Sequence, residues 1–235
     1  MPFNIGGYIY NGGQADTQDY YNIVTRGLVL NLDASAPSSY PGSGTTWNDL
    51  STQTNSGSLT NGPTFNSTNG GSIVFDGTDD YATLPDFSSQ FTGNKITVFS
   101  WAKVTSSVSK PTCLSFNGAF NFFYPGFRIS NPNLTQLYWD SATLWKNATT
   151  YYTLGDIKCF AWTLDTTSLI FYNNAVADGT GTVNTFAPSG PIRLFFANAG
   201  EYQFGNVYTV CIYNRILSAA EILQNFNVQR SRFGI

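Results

Sequence analysis

Short runs in which apolar residues take every second position recur along most of this chain. The runs from Lys95 to Val104, Asp156 to Leu164, Ser168 to Tyr172, Pro191 to Phe196 and Phe204 to Tyr213 are rich in Val, Ile, Phe, Tyr and Trp, residues that suit a pleated, half-buried surface. Helical spacing is confined to Ser218 to Phe226, where Ile222, Leu223 and Phe226 share a side. Many strands and one short helix predict an all-β fold of two antiparallel sheets packed face to face. In the run from Lys95, Ile96, Val98, Ala102 and Val104 fall on one side and Phe99 and Trp101 on the other. Both faces of that strand are therefore expected to be covered, or to form a groove or a partner surface.

At 235 residues, 42% of them hydrophobic, the chain can bury one substantial core without a second domain. Charged residues are 11% and the net charge is −3, so the basic footprint of a nucleic-acid binder is missing. No stretch approaches the run of about 20 apolar residues that spans a bilayer, and membrane insertion is not expected. Residues 1–26 differ from the rest, with two glycine pairs, the tyrosines Tyr8, Tyr10, Tyr20 and Tyr21, and no sustained period. They read as an amino-terminal arm suited to ordering on assembly, followed by one domain over 27–235. The start shows no charged segment leading into an apolar one, so synthesis in a host cytoplasm without a secretion signal is the expectation. Cys113, Cys159 and Cys211 lack metal-ligand spacing and read as free, buried thiols rather than a disulfide framework.

Three motifs have local explanations. Ser218 and Glu221 stand at the spacing of a capping box, which accounts for Glu221 as a cap rather than a catalyst. Ser72 to Pro85 reads as strand, turn and strand, with Asp76, Gly77 and Asp79 shaping the turn. Trp47-Asn48-Asp49-Leu50-Ser51 reads as a Trp packed over a sandwich edge, after a Pro- and Gly-containing loop over 35–42.

FDGTDDY at 75–81, the strand pair from Ile157 to Asn174 and YNRILSAAEI at 213–222 occur in this order. Together they resemble the laminin-G-like, concanavalin A-like lectin/glucanase jelly rolls, from Gly27 to about Phe226. The resemblance implies a concanavalin A-like jelly-roll β-sandwich of two antiparallel sheets, one short C-terminal helix and an N-terminal arm. The chain departs from the family pattern at Ile157–Ala161 and Phe171–Asn174, and Tyr208 stands where an acidic residue is common.

The chain has no histidine and two glutamates, Glu201 and Glu221. Histidine-based nucleophile pairs are excluded, and two distant glutamates do not form the close carboxyl pair of a glycosidase. A non-enzymatic role is expected, with a divergent glycan hydrolase the least favoured alternative. Asp76, Asp79 and Asp80 are the densest acidic set, and calcium is the cofactor such hard oxygen ligands would suit. The segment 116–145 carries Tyr124, Tyr138, Trp139 and Trp145 among Asn, Ser and Thr, a pairing of ring faces with short polar groups that holds sugars. Layout and resemblance favour a virion structural protein, a capsid or tail decoration or fibre component located on the particle. Its arm would dock to other virion proteins or to copies of itself, and host surface glycans are a further expected partner. A carbohydrate-binding lectin or adhesin is the alternative.

Overall fold

The computed structural model describes residues 4–5, 8–9, 22–105, 114–117, 122–124, 134–139, 144–182, 190–195, 202 and 204–235. In chain order the strands are β1 (Asn4–Ile5), β2 (Tyr8–Ile9), β3 (Leu28–Asp33), β4 (Thr46–Trp47), β5 (Gly57–Thr60), β6 (Thr64–Asn66), β7 (Ser72–Asp76), β8 (Tyr81–Leu84) and β9 (Lys95–Val104). They continue as β10 (Leu114–Asn117), β11 (Phe122–Tyr124), β12 (Leu134–Trp139), β13 (Leu144–Tyr151), β14 (Ile157–Asp165), β15 (Ser168–Asn173), β16 (Val176–Thr182), β17 (Ile192–Leu194) and β18 (Phe204–Tyr213). Helix α1 (Ala219–Gln229) and a 3-10 turn (Arg230–Phe233) close the chain. The two antiparallel sheets and the single C-terminal α-helix are those the sequence predicts, with the shorter strands β4 and β6 added at the edges and β5 next to β4.

The first sheet runs β13-β12-β11-β10-β17-β8-β5-β4, and the second runs β16-β15-β14-β9-β18-β7-β6, with β3 also paired to β18. Strands β1 and β2 form a separate antiparallel pair within the predicted arm. FDGTDDY is strand, turn and strand as expected, but its strands do not pair with each other. Strand β7 ladders with β18 in the second sheet, and β8 ladders with β17 and β5 in the first. The acidic turn is thus a crossover between sheets. Gly77 turns it at φ +75°, where a Cβ would stand 2.8 Å from that of Phe204.

Side-chain alternation divides β9 between two cores. Ile96, Val98, Ala102 and Val104 join the core between the sheets, alongside Leu30, Phe75, Leu84, Ile192 and Ile212. Phe99 and Trp101 point the other way, into a second core with Cys159, Cys211, Tyr213, Ile222 and Phe226. That second core holds residues of the second sheet, the helix and the segment around Val24 and, among the described residues, none of the first sheet. Trp101 lies against Phe226 and Phe233, with ring centroids 5.4 and 4.2 Å away and both contacts stacked. Tyr208 meets Phe233 edge-on. Cys159 and Cys211 are buried and free, and burial pushes both thiols up. Trp47 is fully buried on edge strand β4, as its packing at a sandwich edge predicts.

The YNRILSAAEI motif fastens this cover. Tyr213 Oη donates to the Val24 carbonyl at 3.0 Å and accepts from Asn225 Nδ2, while Val24 N donates to Asn225 Oδ1. Residues at the end of the predicted arm are therefore bound into the domain. Thr97 Oγ1 donates to the Arg215 carbonyl and accepts from Leu217 N. Arg215 grips both oxygens of Glu221, at 2.7 and 3.0 Å, and its Nε donates to the Arg26 carbonyl. Glu221 in turn accepts from Ser218 N, and Ser218 Oγ accepts from Glu221 N, which completes the capping box. The Arg215 hydrogen bonds, with help from the cap, hold the Glu221 carboxyl at about 2.

Two predictions follow from the covered face. Replacing Trp101 with alanine removes a stacked ring from a closed core and is expected to cost about 3–5 kcal/mol in denaturant unfolding; a loss below about 1 kcal/mol would show that the helix does not depend on it. Glu221→Gln is expected to cost about 1–2 kcal/mol at pH 7. Because the folded carboxyl sits below its ordinary value of 4.5, this contribution is full above the ordinary carboxylate range and is lost as pH falls toward about 2. Melting curves of wild type and variant should therefore converge in acid, and a pH-independent gap would refute the ionic role.

Candidate functional site

Carboxyl groups come together in one described place. Asp76, Asp79 and Asp80 each offer an oxygen within 4.8 Å of the others, with Asp76 and Asp79 exposed and Asp80 buried. Much of this chemistry serves the turn. Asp76 Oδ1 accepts from Thr78 N at 2.7 Å and from Asp79 N, and Asp80 Oδ2 accepts from Asp76 N at 3.0 Å. Asn61 Nδ2 donates to the Asp79 carbonyl. The Thr78 amide leads the effects that lower the Asp76 carboxyl. Burial, with the charges of Asp76 and Asp79, raises that of Asp80. The remaining oxygens, chiefly those of Asp79, fit part of the shell of six to eight that calcium takes.

A second constellation follows from sheet register. Directly opposed residues of neighbouring strands share a face, and successive residues alternate between faces. Trp139 is opposite Phe123 and Leu144, Phe123 is opposite Phe116, Phe116 is opposite Ile192, and Ile192 is opposite Leu84. Ile192 and Leu84 are buried between the sheets, so this row faces the core. In the adjacent row Tyr138 is opposite both Tyr124 and Trp145. Four predicted sugar-contact residues therefore divide. Tyr124, Tyr138 and Trp145 fall in one cross-strand row, and Trp139 falls in the adjacent row that ends at Ile192 and Leu84.

The same face continues across the sheet through Ser115, Arg193, Thr83 and Ser58, which are opposite one another in turn. The Arg193 guanidinium lies over the Tyr81 ring, 6.0 Å from its centroid, and Tyr202 stands 6.4 Å from Tyr81. Sequence reading missed Arg193 and Tyr81 as members of this face. A signal was available, since a charge between Ile192 and Leu194 in a strand that buries both must turn away from the core. The groove or partner surface considered for β9 is instead closed by the helix.

Among the tyrosines assigned to assembly, Tyr8 lies in β2, and Tyr10, Tyr20 and Tyr21 fall outside the described residues, as do Glu201 and Cys113. No described helix is long and apolar enough to cross a membrane.

Residues 76–223 match the family model described as the concanavalin A-like lectin/glucanases superfamily. Similar solved structures include domain 4 of AbnA, an extracellular GH43 arabinanase from Geobacillus stearothermophilus, in complex with arabinotriose. It has a TM-score of 0.70 and 15% identity, over 86% of this chain and 99% of that one. Trypanosoma rangeli sialidase in complex with 2,3-difluorosialic acid gives a TM-score of 0.68 at 17% identity, over 88% of this chain and 34% of the sialidase. The binding domain of Paraclostridial Mosquitocidal Protein 1 gives 0.68 at 13% identity, over 86% of this chain and 52% of that one. The chain thus spans about a third of the sialidase and half of the latter protein. No curated protein matches it in sequence.

Proposed function

Because the chain belongs to the concanavalin A-like lectin/glucanases superfamily, we propose that it is a non-catalytic carbohydrate-binding domain whose ligand lies across the outer face of the first sheet. The observation that supports this reading is the register of Tyr124, Tyr138 and Trp145, which puts three aromatic residues in one cross-strand row. Gln136 and Asn147 oppose each other elsewhere on those strands, so amides accompany the rings. Aromatic surfaces that take sugar C–H groups, with short polar groups placed among them, make a workable glycan platform. The matched arabinanase domain, solved with arabinotriose, supports a sugar ligand for this fold. Catalysis has little to draw on, since Glu221 is committed to Arg215 and the helix cap and there is no histidine.

The narrower role on a virion, with residues 1–26 docking the domain to other virion proteins or to its own copies, is compatible with sugar binding. Val24 is fastened on the helix side of the second sheet, away from the candidate glycan face, so the two contacts would not compete. The matched proteins named above include a glycan-acting enzyme domain and a binding domain, which is why adhesion leads in our reading. Calcium at Asp76, Asp79 and Asp80 would stabilise the crossover turn, and no part of the glycan reading depends on it.

A glycan array with two tryptophan variants tests the proposal. Trp145→Ala is expected to lose binding at least about tenfold, worth about 1.4 kcal/mol, while keeping the wild-type melting temperature. Trp139→Ala is expected to lower the melting temperature instead; binding lost only with Trp139 would reverse the assignment of faces, and no binding by wild type would end the reading. For the acidic turn, millimolar calcium should raise the melting temperature of wild type and leave Asp79→Asn unmoved. Equal curves with and without the ion would leave the three aspartates a purely structural role.

A further inference from the structure

We propose that Asn61 is a site of self-modification, where attack by the Gly62 backbone nitrogen converts the asparagine to aspartate or isoaspartate and adds a fourth carboxyl to the acidic turn. This chemistry is independent of glycan binding. The chain has four Asn-Gly pairs, beginning at Asn11, Asn61, Asn69 and Asn117, and those at Asn61 and Asn69 lie wholly within the described residues. Glycine matters because it has no Cβ to obstruct a backbone nitrogen that closes on the preceding side chain. The structure separates the two pairs. Asn61 and Gly62 are both exposed, in the loop from β5 to β6. A Cβ on Gly62 would meet only Asp80 Oδ1, at 4.0 Å, which leaves room for ring closure. Among the described residues no hydrogen bond takes up the Gly62 amide, so its proton is left to water. Asn69 and Gly70 are pinned instead. Arg232 donates to the Asn69 and Gly71 carbonyls, and a Cβ on Gly70 would stand 3.1 Å from Arg232 Nε and 3.3 Å from Ser35 Cβ.

Water is the one co-reactant. The Gly62 nitrogen gives its proton to solvent and bonds to Asn61 Cγ, while the Cγ–Nδ2 bond breaks and Nδ2 leaves as ammonia with a proton taken from water. The cyclic imide then adds water across one of its two C–N bonds, and the bond chosen decides between aspartate and isoaspartate. Nδ2 is the atom that donates to the Asp79 carbonyl at 2.9 Å, so the reaction removes that tie and leaves a carboxylate in its place. Asp76, Asp79 and Asp80 already hold oxygens within 4.8 Å of one another. A fourth negative charge beside them is repelled, which is expected to loosen the crossover between the sheets.

Peptide mapping by mass spectrometry, on the whole chain aged in mildly alkaline buffer, tests this. Asn61 is expected to convert at least about tenfold faster than Asn69, the protection that one charge-assisted hydrogen bond gives. In denaturant, where both pairs are free, the two rates should converge. Asn61→Gln, whose longer side chain would have to close a larger ring, should stop conversion at this position while Asn69 keeps its rate. Asn61→Asp carries the product's charge and should melt below wild type, by a gap that narrows as salt is raised. Equal rates at Asn61 and Asn69 in the folded chain, or conversion of Asn61 in denaturant alone, would overturn the modification. An Asn61→Asp variant that melts with wild type would overturn its effect on the turn.

Discussion

Strands β9 and β18 run through the middle of the second sheet, and each carries apolar residues on both faces. That requirement shapes the rest of the molecule. One face closes against the first sheet through Ile96, Val98, Val210 and Ile212. The other would expose Phe99, Trp101, Cys211 and Tyr213 to water, and the chain covers it with helix α1, the 3-10 turn and the segment around Val24. Burying a large side chain is worth about 1.5–3 kcal/mol, so this cover is part of the stable fold. Once it is in place, the second sheet has no free face. The outer face of the first sheet, where Tyr202 lies against Tyr81, is the one on which we propose a ligand platform.

The same requirement explains why so much of the C-terminal motif is structural. Helix α1 is short, and a helix of its length is marginal alone. Ser218 and Glu221 close its first turn, Arg215 ties Glu221 to the Arg26 carbonyl, and Asn225 joins Tyr213 to Val24. Arg232 adds an ion pair to Asp33 at 2.9 Å and donates to the Asn69 and Gly71 carbonyls. Tyr208, where an acid is common in the family pattern, sits beneath the 3-10 turn beside Phe233. A ring there serves the cover, and a carboxylate would be buried among aromatics.

Period-two alternation made much of this legible in the sequence. The division of β9 into Ile96, Val98, Ala102 and Val104 on one side and Phe99 and Trp101 on the other is the division between the two cores. The capping box was legible because its spacing is local. Pairing was not, because register depends on partners far along the chain. FDGTDDY reads as strand, turn and strand, yet β7 and β8 enter different sheets. Trp47-Asn48-Asp49 hid another such tie, in which Asp49 accepts from Asn31 N, Ser51 N and Asn55 N and so fixes the loop to β3. The turn after β15 shows a related limit. Asn174 and Ala175 both take positive φ, the geometry of a type I′ hairpin turn that usually ends in glycine, and Asn174 Oδ1 secures it by accepting from Cys159 N.

For the candidate site, register decided what composition could not. Tyr138 and Trp139 are neighbours in an aromatic segment, and nothing in their residue types separates a sugar contact from a core ring. Register puts them in different rows, because Trp139 shares one that reaches Ile192 and Leu84, while Tyr138 lies between Tyr124 and Trp145. Arg193 obeys the same rule in reverse. Flanked by buried Ile192 and Leu194, its charge could not face the core without a heavy desolvation cost, so the strand that buries its neighbours turns it to the opposite side, over the Tyr81 ring. The alternation that builds the sandwich core thereby selects which side chains are left to meet a ligand.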